Sequence, residues 1–245
     1  MTIKEMHYDL KQKLNKIDSQ QYANLKVPEI DFKLNEALEL YIKRVAEPRD
    51  PKSVFGFETT QRTIDDIRAL VVNQNMSGNT CLSATLYDSN TGSYTVDIPQ
   101  DYMFYISSHA IATKNSCLNK ELRVRVKQHD DEFRYSPFDK SSFEWRFVNL
   151  TFFGNKLRIY TDGTFSINNL CLNYIKKHPY IHNAAGYPGG QYRHLGTNVM
   201  LTGTQDCLLA EHTHREIVDL AVLIISGDLE SPNYQIKQNK LNIDN

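Results

Sequence analysis

Two histidines one residue apart, His212-Thr-His214, flanked by Glu211 and Glu216, are the side chains best suited by type to hold a metal ion. Imidazole nitrogens and carboxylate oxygens are ordinary zinc ligands. The spacing works against them, because residues i and i+2 of a helix face different directions. A helical pair needs i and i+4, as in an HExxH run, which the sequence lacks. Thr213 with Glu216 fits a helix-capping box, a local structural reading of the same residues. Gln128-His-Asp-Asp131 offers acid–base chemistry if a fold buries its carboxylates together. It follows a strand and precedes Ser136-Pro137, so it reads as a solvated turn or a helix cap. Gly186-Tyr-Pro-Gly-Gly190 lacks the Lys-Ser/Thr of a phosphate loop and reads as a connector folding sharply. No serine sits in a GxSxG elbow.

Cys81, Cys117, Cys171 and Cys207 are widely spaced, with no CxxC pair. Four cysteines could make two disulfides, but without a secretory signal they are expected to be reduced, partly buried thiols of a reducing cytosol. Met1 to Ile17 is charged throughout, without the apolar core of a secretory signal. No apolar run approaches the ~18 residues of a membrane span, so the expectation is a soluble protein. No cofactor is expected, and no enzyme activity.

The 245 residues carry 28 Lys and Arg against 29 Asp and Glu, a formal net charge of −1. An electrostatic grip on DNA needs clustered, uncompensated positive charge, so this balance argues against one. The hydrophobic share of 40% is enough to bury a core without staples.

The elements that would position any site change period along the chain. Thr2 and Glu5 fit a capping box, followed by an apolar stripe of Ile3, Met6, Leu10, Leu14 and Ile17. A second helix starts near Pro28 and buries Ile30, Leu34, Leu38, Tyr41, Ile42 and Val45, until Pro48 and Pro51 end it. A third runs from about Thr60 to Val72, with Ile64, Ile67, Leu70 and Val71 inward. Strands are expected over Cys81 to Tyr87, Ser93 to Ile98, Tyr105 to Ala112 and Leu122 to Val126. Further strands are expected over Glu144 to Phe153, Lys156 to Tyr160 and Phe165 to Ile175. Gly154-Asn155 turns one hairpin. A last helix carries Ile217, Leu220, Ala221, Ile224 and Ile225, with Gly227 as its stop.

The fold class expected is therefore α+β. Terminal helices pack as a body, with a β-rich, sandwich-like insertion between them; the many strands with short turns fit a sandwich or a strongly curved sheet. Residues 1–78 and 205–230 form the helical body, 79–182 the insertion, 183–204 a connector and 231–245 a polar tail, flexible or ordered by a partner.

Arg123, Arg125 and Lys127 alternate with Leu122, Val124 and Val126, a basic row on one strand face. Such a row is a solvated face, meets acidic groups of a neighbouring subunit, or faces DNA in a lumen. Tyr174, Tyr187 and Tyr192, with Lys176 and Lys177, are further candidates for a subunit interface. Aromatic anchors bury much area with few rotatable bonds, although ordinary core filling uses them equally.

Six segments, in order, carry a resemblance. They are Leu34-Asn-Glu-Ala-Leu38; Phe55-Gly-Phe-Glu58 with Gln61 and Ile64-Asp-Asp-Ile-Arg-Ala-Leu70; and Ile98-Pro-Gln-Asp-Tyr-Met103. The others are Gln128-His-Asp-Asp131 with Ser136-Pro-Phe138; Leu172-Asn-Tyr-Ile-Lys-Lys-His-Pro179; and Leu208 through His212-Thr-His-Arg-Glu-Ile-Val-Asp-Leu-Ala221. Together they resemble the ring proteins of crAss-like phages and, more loosely, the tail tubular (adaptor) proteins of short-tailed phages. The resemblance covers nearly the whole chain from about residue 25. It implies a ring-forming helical body with a β-rich insertion, and a homo-oligomeric, twelve-fold ring in the neck or tail of the virion. The partners implied are the portal and adjacent ring or tail-barrel proteins, with DNA passing through the lumen without specific binding and no membrane. The family carries no active site to map. Where it has a single basic residue before the proline, this chain has Lys176-Lys177-His178-Pro179. Two rivals stand beside this reading: a β-sandwich fibre or glycan-binding module, and a metal-dependent hydrolase built on His212, His214 and a carboxylate.

Overall fold

Thr2 and Glu5 open the first helix as a reciprocal pair. The Thr2 N–H donates to Glu5 Oε2 at 2.8 Å and the Glu5 N–H to Thr2 Oγ1 at 3.4 Å, satisfying two donors that a helix start otherwise leaves unpaired. Helix α1 (Ile3–Ile17) buries Ile3, Met6, Leu10 and Leu14, each contributing about 1.5–3 kcal/mol on burial. Helix α2 (Val27–Ala46) places Pro28 in its first turn and buries Ile30, Leu34, Ala37, Leu38, Tyr41 and Ile42. Helix α3 (His214–Asp228) packs against both, through Ile217, Val218, Ala221, Val222 and Ile225. It runs through Gly227, one residue past the expected stop.

The computed structural model describes residues 1–17 (side chains to 14), 25–46, 65–75, 81–89, 91–115, 117–127, 136, 138–194 and 196–228. The Ile17 side chain, Pro48 and Pro51, the start of the third helix with Ile64, the Gln128 to Asp131 stretch, and the 231–245 tail lie outside the described residues. The chain divides into two compact units, one of Met1–Leu70 with His178–Asn245, the other of Val71–Lys177.

In the first unit, residues 65–67 are helical and tighten into a 3-10 turn, Arg68–Leu70. The expected helix to Val72 stops there. Val71 and Val72 instead form strand β1 (Val71–Asn73), opposite Ile175 and Tyr174, where β-branched side chains sit well. The stretch read as a bare connector belongs to the helical unit and has ladders of its own. Strand β10 (His182–Asn183) pairs with β13 (Thr204–Gln205), and β11 (Gln191–Arg193) with β12 (Met200–Thr202). Gly189 and Gly190 sit at φ +89° and +70°, the left-handed region that glycine enters without a Cβ clash and that folds the chain sharply before β11.

The second unit is one curled sheet with strand order β1-β9-β5-β6-β7-β8-β4-β3, and β2 also on β9. Its strands are β2 (Leu82–Ser83), β3 (Thr85–Asp88), β4 (Ser93–Asp97), β5 (Tyr102–Lys114), β6 (Cys117–Val126), β7 (Phe147–Phe153), β8 (Lys156–Tyr160) and β9 (Ser166–Lys176). Strands β2 and β3 are a single run around Ala84. Its first part pairs with β9, its second with β4, and the Ala84 N–H donates to Asn168 O at 3.0 Å. Of the two β arrangements expected, the sheet therefore takes the strongly curved one and closes on itself as a barrel, rather than forming a sandwich. The physical reason is that β5 and β9 are long and carry three register shifts along their ladder; bulges of this kind bend and coil a sheet. Leu122, Val124, Val148, Leu150, Leu157, Ile159, Leu170 and Leu172 belong to one packed core, the dry side of the alternation.

All ladders of the barrel are antiparallel except β6–β7, and a parallel pair needs a crossover. The described end of that crossover is fastened to β7 and β8, and its Phe143 joins the barrel core. Ser141 Oγ–H donates to Tyr160 O at 2.6 Å and accepts the Asn149 N–H at 3.0 Å, while Asn149 Nδ2–H donates to Asp139 O at 2.6 Å. Asn149 is fully buried as a result.

Cys81 and Cys171 form a disulfide, correcting the expectation of four reduced thiols. The β2–β9 register sets Leu82 opposite Leu170, so the next pair outward is Cys81 with Cys171, and their Cα atoms lie 4.3 Å apart. Cys117 is free and exposed; Cys207 is free and buried, and burial pushes its thiol up to about 11.

Candidate functional site

The most concentrated polar chemistry in the described residues is a buried node on Asp31, in the helical unit. Asp31 sits on the inner face of α2 and is fully buried. Its Oδ1 meets His7 Nε2 at 2.6 Å, from α1. Its Oδ2 accepts the Tyr192 hydroxyl at 2.6 Å, from β11. The Asn183 N–H, on β10, lies 3.2 and 3.1 Å from the two oxygens. One turn along α2, Asn35 repeats the arrangement: it accepts the Ile181 N–H at 2.9 Å and donates to Ile181 O at 2.7 Å. A buried carboxylate is costly unless its lone pairs are matched, and here donors from three elements match them. Burial, reinforced by the Asp31 hydrogen bond and charge, pushes the Tyr192 phenol far up from its ordinary value. Tyr180, beside it, is pushed up to about 12, by burial first and the Asp31 charge second.

Chemically the node is an acid–base pair without an open position. His7 is buried with Asp31, and both carboxylate oxygens are occupied. What the arrangement does is fasten residues 181–192 to α1 and α2. None of Asp31, His7, Asn35, Asn183 or Tyr192 stands in a motif that sequence reading isolates as a unit. The available signal was an aspartate at an inward position of α2, one residue from Ile30 and three from Leu34.

The histidine pair does not converge. His212 Nε2 meets Asp66 Oδ1 at 2.6 Å, while His214 Nε2 meets Leu209 O at 3.0 Å. Among the described residues no three His, Cys, Asp or Glu side chains converge on a metal position. The capping box expected at Thr213 is replaced by a tighter turn. Glu211–Thr213 is a 3-10 segment, and the Thr213 N–H and hydroxyl both donate to Ala210 O, at 3.0 and 2.8 Å.

The interface candidates separate. Arg123 and Arg125 are exposed on the outer face of β6, and the Arg125 guanidinium lies 4.0 Å over the Phe147 ring. Lys127 pairs with Asp139 at 3.3 Å. Lys177 is exposed and Lys176 half-buried. Tyr174 and Tyr192 are core residues instead: they are 4% and 7% exposed, and Tyr174 donates to Asp101 Oδ1 at 3.0 Å. Tyr187 is half-buried against Tyr192, ring centroids 5.8 Å apart.

Several large apolar side chains that no sequence pattern singles out stand exposed on the barrel, with Trp145 at 83% and Leu118 at 72%. The loop carrying Trp145 is bound to the β5–β6 hairpin by Lys114 with Glu144 at 2.6 Å, and by Lys120 Nζ on Phe143 O at 3.2 Å. No helix among the described residues is long and apolar enough to cross a membrane. No protein-family model matches this chain, and a search of the curated proteins returns no match.

Proposed function

We propose that this chain is a structural subunit of an oligomeric ring in the neck or tail of a phage virion, joining the portal to the tail and forming part of the DNA conduit. The observation that supports this reading best is the construction of the helical unit. Both ends of the chain build it, and the barrel of Val71–Lys177 interrupts it in sequence. A helical body with a β-rich insertion is what the resemblance to the ring proteins of crAss-like phages implies. A structural rather than catalytic role is supported by the Asp31 node, whose groups are committed to holding the fold.

In this reading the copies join head to tail, each presenting two different surfaces, and the ring closes because the rotation per subunit divides the circle. Contacts between two isolated copies are modest, and the portal strengthens them by holding many copies at once. The near-neutral chain lets DNA slide, whereas a strongly basic lumen would hold it. The ring is twelve-fold and the protein has no enzymatic turnover.

Native mass spectrometry of the chain alone and with its portal tests the proposal. The expected result is a complex carrying multiple copies on the portal. A strict monomer with no affinity for the portal or for a neighbouring ring protein would overturn it.

A further inference from the structure

On the outer face of the barrel, Arg158 of β8 lies between two aromatic rings. Its guanidinium carbon is 4.3 Å from the ring centroid of Tyr87, on β3, and 4.4 Å from that of Phe153, at the end of β7. Both rings are more than half exposed, at 59% and 52%. The ladders explain the placement. Arg158 stands opposite Thr95 on β4 and Thr151 on β7, two short side chains that leave room for the larger rings to reach over them. Among the described residues Arg158 has no carboxylate partner, and its Nε is enclosed without an acceptor. The neighbouring cation on the same strand, Lys156, is paired with Asp97 at 3.1 Å.

We infer that Tyr87, Arg158 and Phe153 form a recognition site for a carboxylate presented by an acidic segment of a partner polypeptide. Aromatic rings on either side hold the guanidinium and strip it of part of its hydration. Its N–H donors lie in its own plane, so they point past the rings and keep the forked geometry that fits a carboxylate. Arg and Tyr, preorganised and partly desolvated, are the residue types that concentrate binding energy at protein contacts. A phosphodiester chain fits less well. It needs a succession of unpaired cations, and here the next one along the strand is already neutralised. The inference does not depend on the ring reading.

The test follows the backbone amide resonance of Ile159, next to Arg158 on β8, in the 15N-labelled full chain while N-acetyl-hexaglutamate amide is added in low-salt buffer. A saturable shift is expected. Arg158→Gln abolishes it. Arg158→Lys keeps the charge, loses the fork and weakens binding by about tenfold. Tyr87→Ala with Phe153→Ala weakens it to a similar degree; should that double variant misfold, the Arg158→Lys comparison still decides. No saturable shift, an unchanged affinity in Arg158→Gln, or saturation of the same resonance by a ten-residue oligothymidylate in place of the peptide would each overturn the inference.

Discussion

The helical unit and the barrel hold themselves together by opposite uses of polar groups. The helical unit buries its key polar contacts: Asp31 gathers His7, Asn183 and Tyr192 from positions 24, 152 and 161 residues away in sequence. The barrel keeps its core apolar and places its charges outside, where Arg125 and Arg158 lie over rings and Lys127 and Lys156 form ion pairs. Its one long-range covalent constraint is the disulfide across the β2–β9 seam. The difference teaches where each unit is vulnerable. One depends on matching a buried charge, the other on closing a short seam, so a single perturbation separates them.

The largest separation is expected from Asp31→Ala. Removing the carboxylate leaves His7, Tyr192 and the Asn183 N–H buried without their acceptor, and breaking a buried charge network on one side costs about 3–5 kcal/mol. Hydrogen exchange should show α1, α2 and the β10–β13 region losing protection while β5 through β9 keep theirs. Equal loss in both units would mean that they do not respond separately.

Reduction should act on the barrel alone. The Cys81–Cys171 bond closes a sequence separation of 90 residues, and β2 contributes only a two-residue ladder to the closure. Cross-links of this kind typically contribute about 2–4 kcal/mol. Thermal unfolding followed with and without a phosphine reductant should therefore show a lower barrel midpoint, reproduced by Cys81→Ser with Cys171→Ser and insensitive to reductant in that variant.

Alkaline pH sharpens the comparison at intermediate size. Tyr192 and Tyr180 have phenols raised in the folded state, above the ordinary value of 10.0. Below pH 10 both states keep the proton and the contribution is complete. Above it the unfolded chain releases protons that the folded chain retains, so stability falls as pH rises. For Tyr180 that window closes near 12. Urea titrations from pH 9 to 12 should show the helical unit weakening, and Tyr192→Phe should flatten the slope. The barrel responds in the same direction through Tyr102 and Tyr174, each pushed up to about 12 mainly by burial, so only the variant assigns the change to the node.

The smallest effect is Thr2→Ala, which removes the hydroxyl acceptor of the α1 capping box and costs about 1 kcal/mol. Its signature is faster exchange of the first-turn amides, with the barrel unchanged.

Much of the local structure was legible in the sequence, and for the same reason in both units. A stripe such as Ile3, Met6, Leu10 and Leu14 or an alternation such as Leu122-Arg-Val124-Arg reports which side of an element is dry. What escaped depends on residues far apart in the chain. Cys81 meets Cys171 only because of a register, and Ala84 closes the barrel only because β9 lies alongside it. Val71 and Val72 carried a helical pattern, but pairing with β9 overrode it. Tyr174 and Tyr192 looked equivalent to surface tyrosines because an aromatic residue serves core and interface equally well. The Asp31 node was hidden by the usual rule that carboxylates stay outside, which fails where enough donors converge.

The ring proposal, on which the functional reading turns, is tested most directly by cryo-electron microscopy of the intact virion neck. The expected density is a closed ring of identical subunits beside the portal, each fitting the helical unit and the barrel as separate bodies. A neck whose rings accommodate neither body, in a virion that contains the chain, would contradict it.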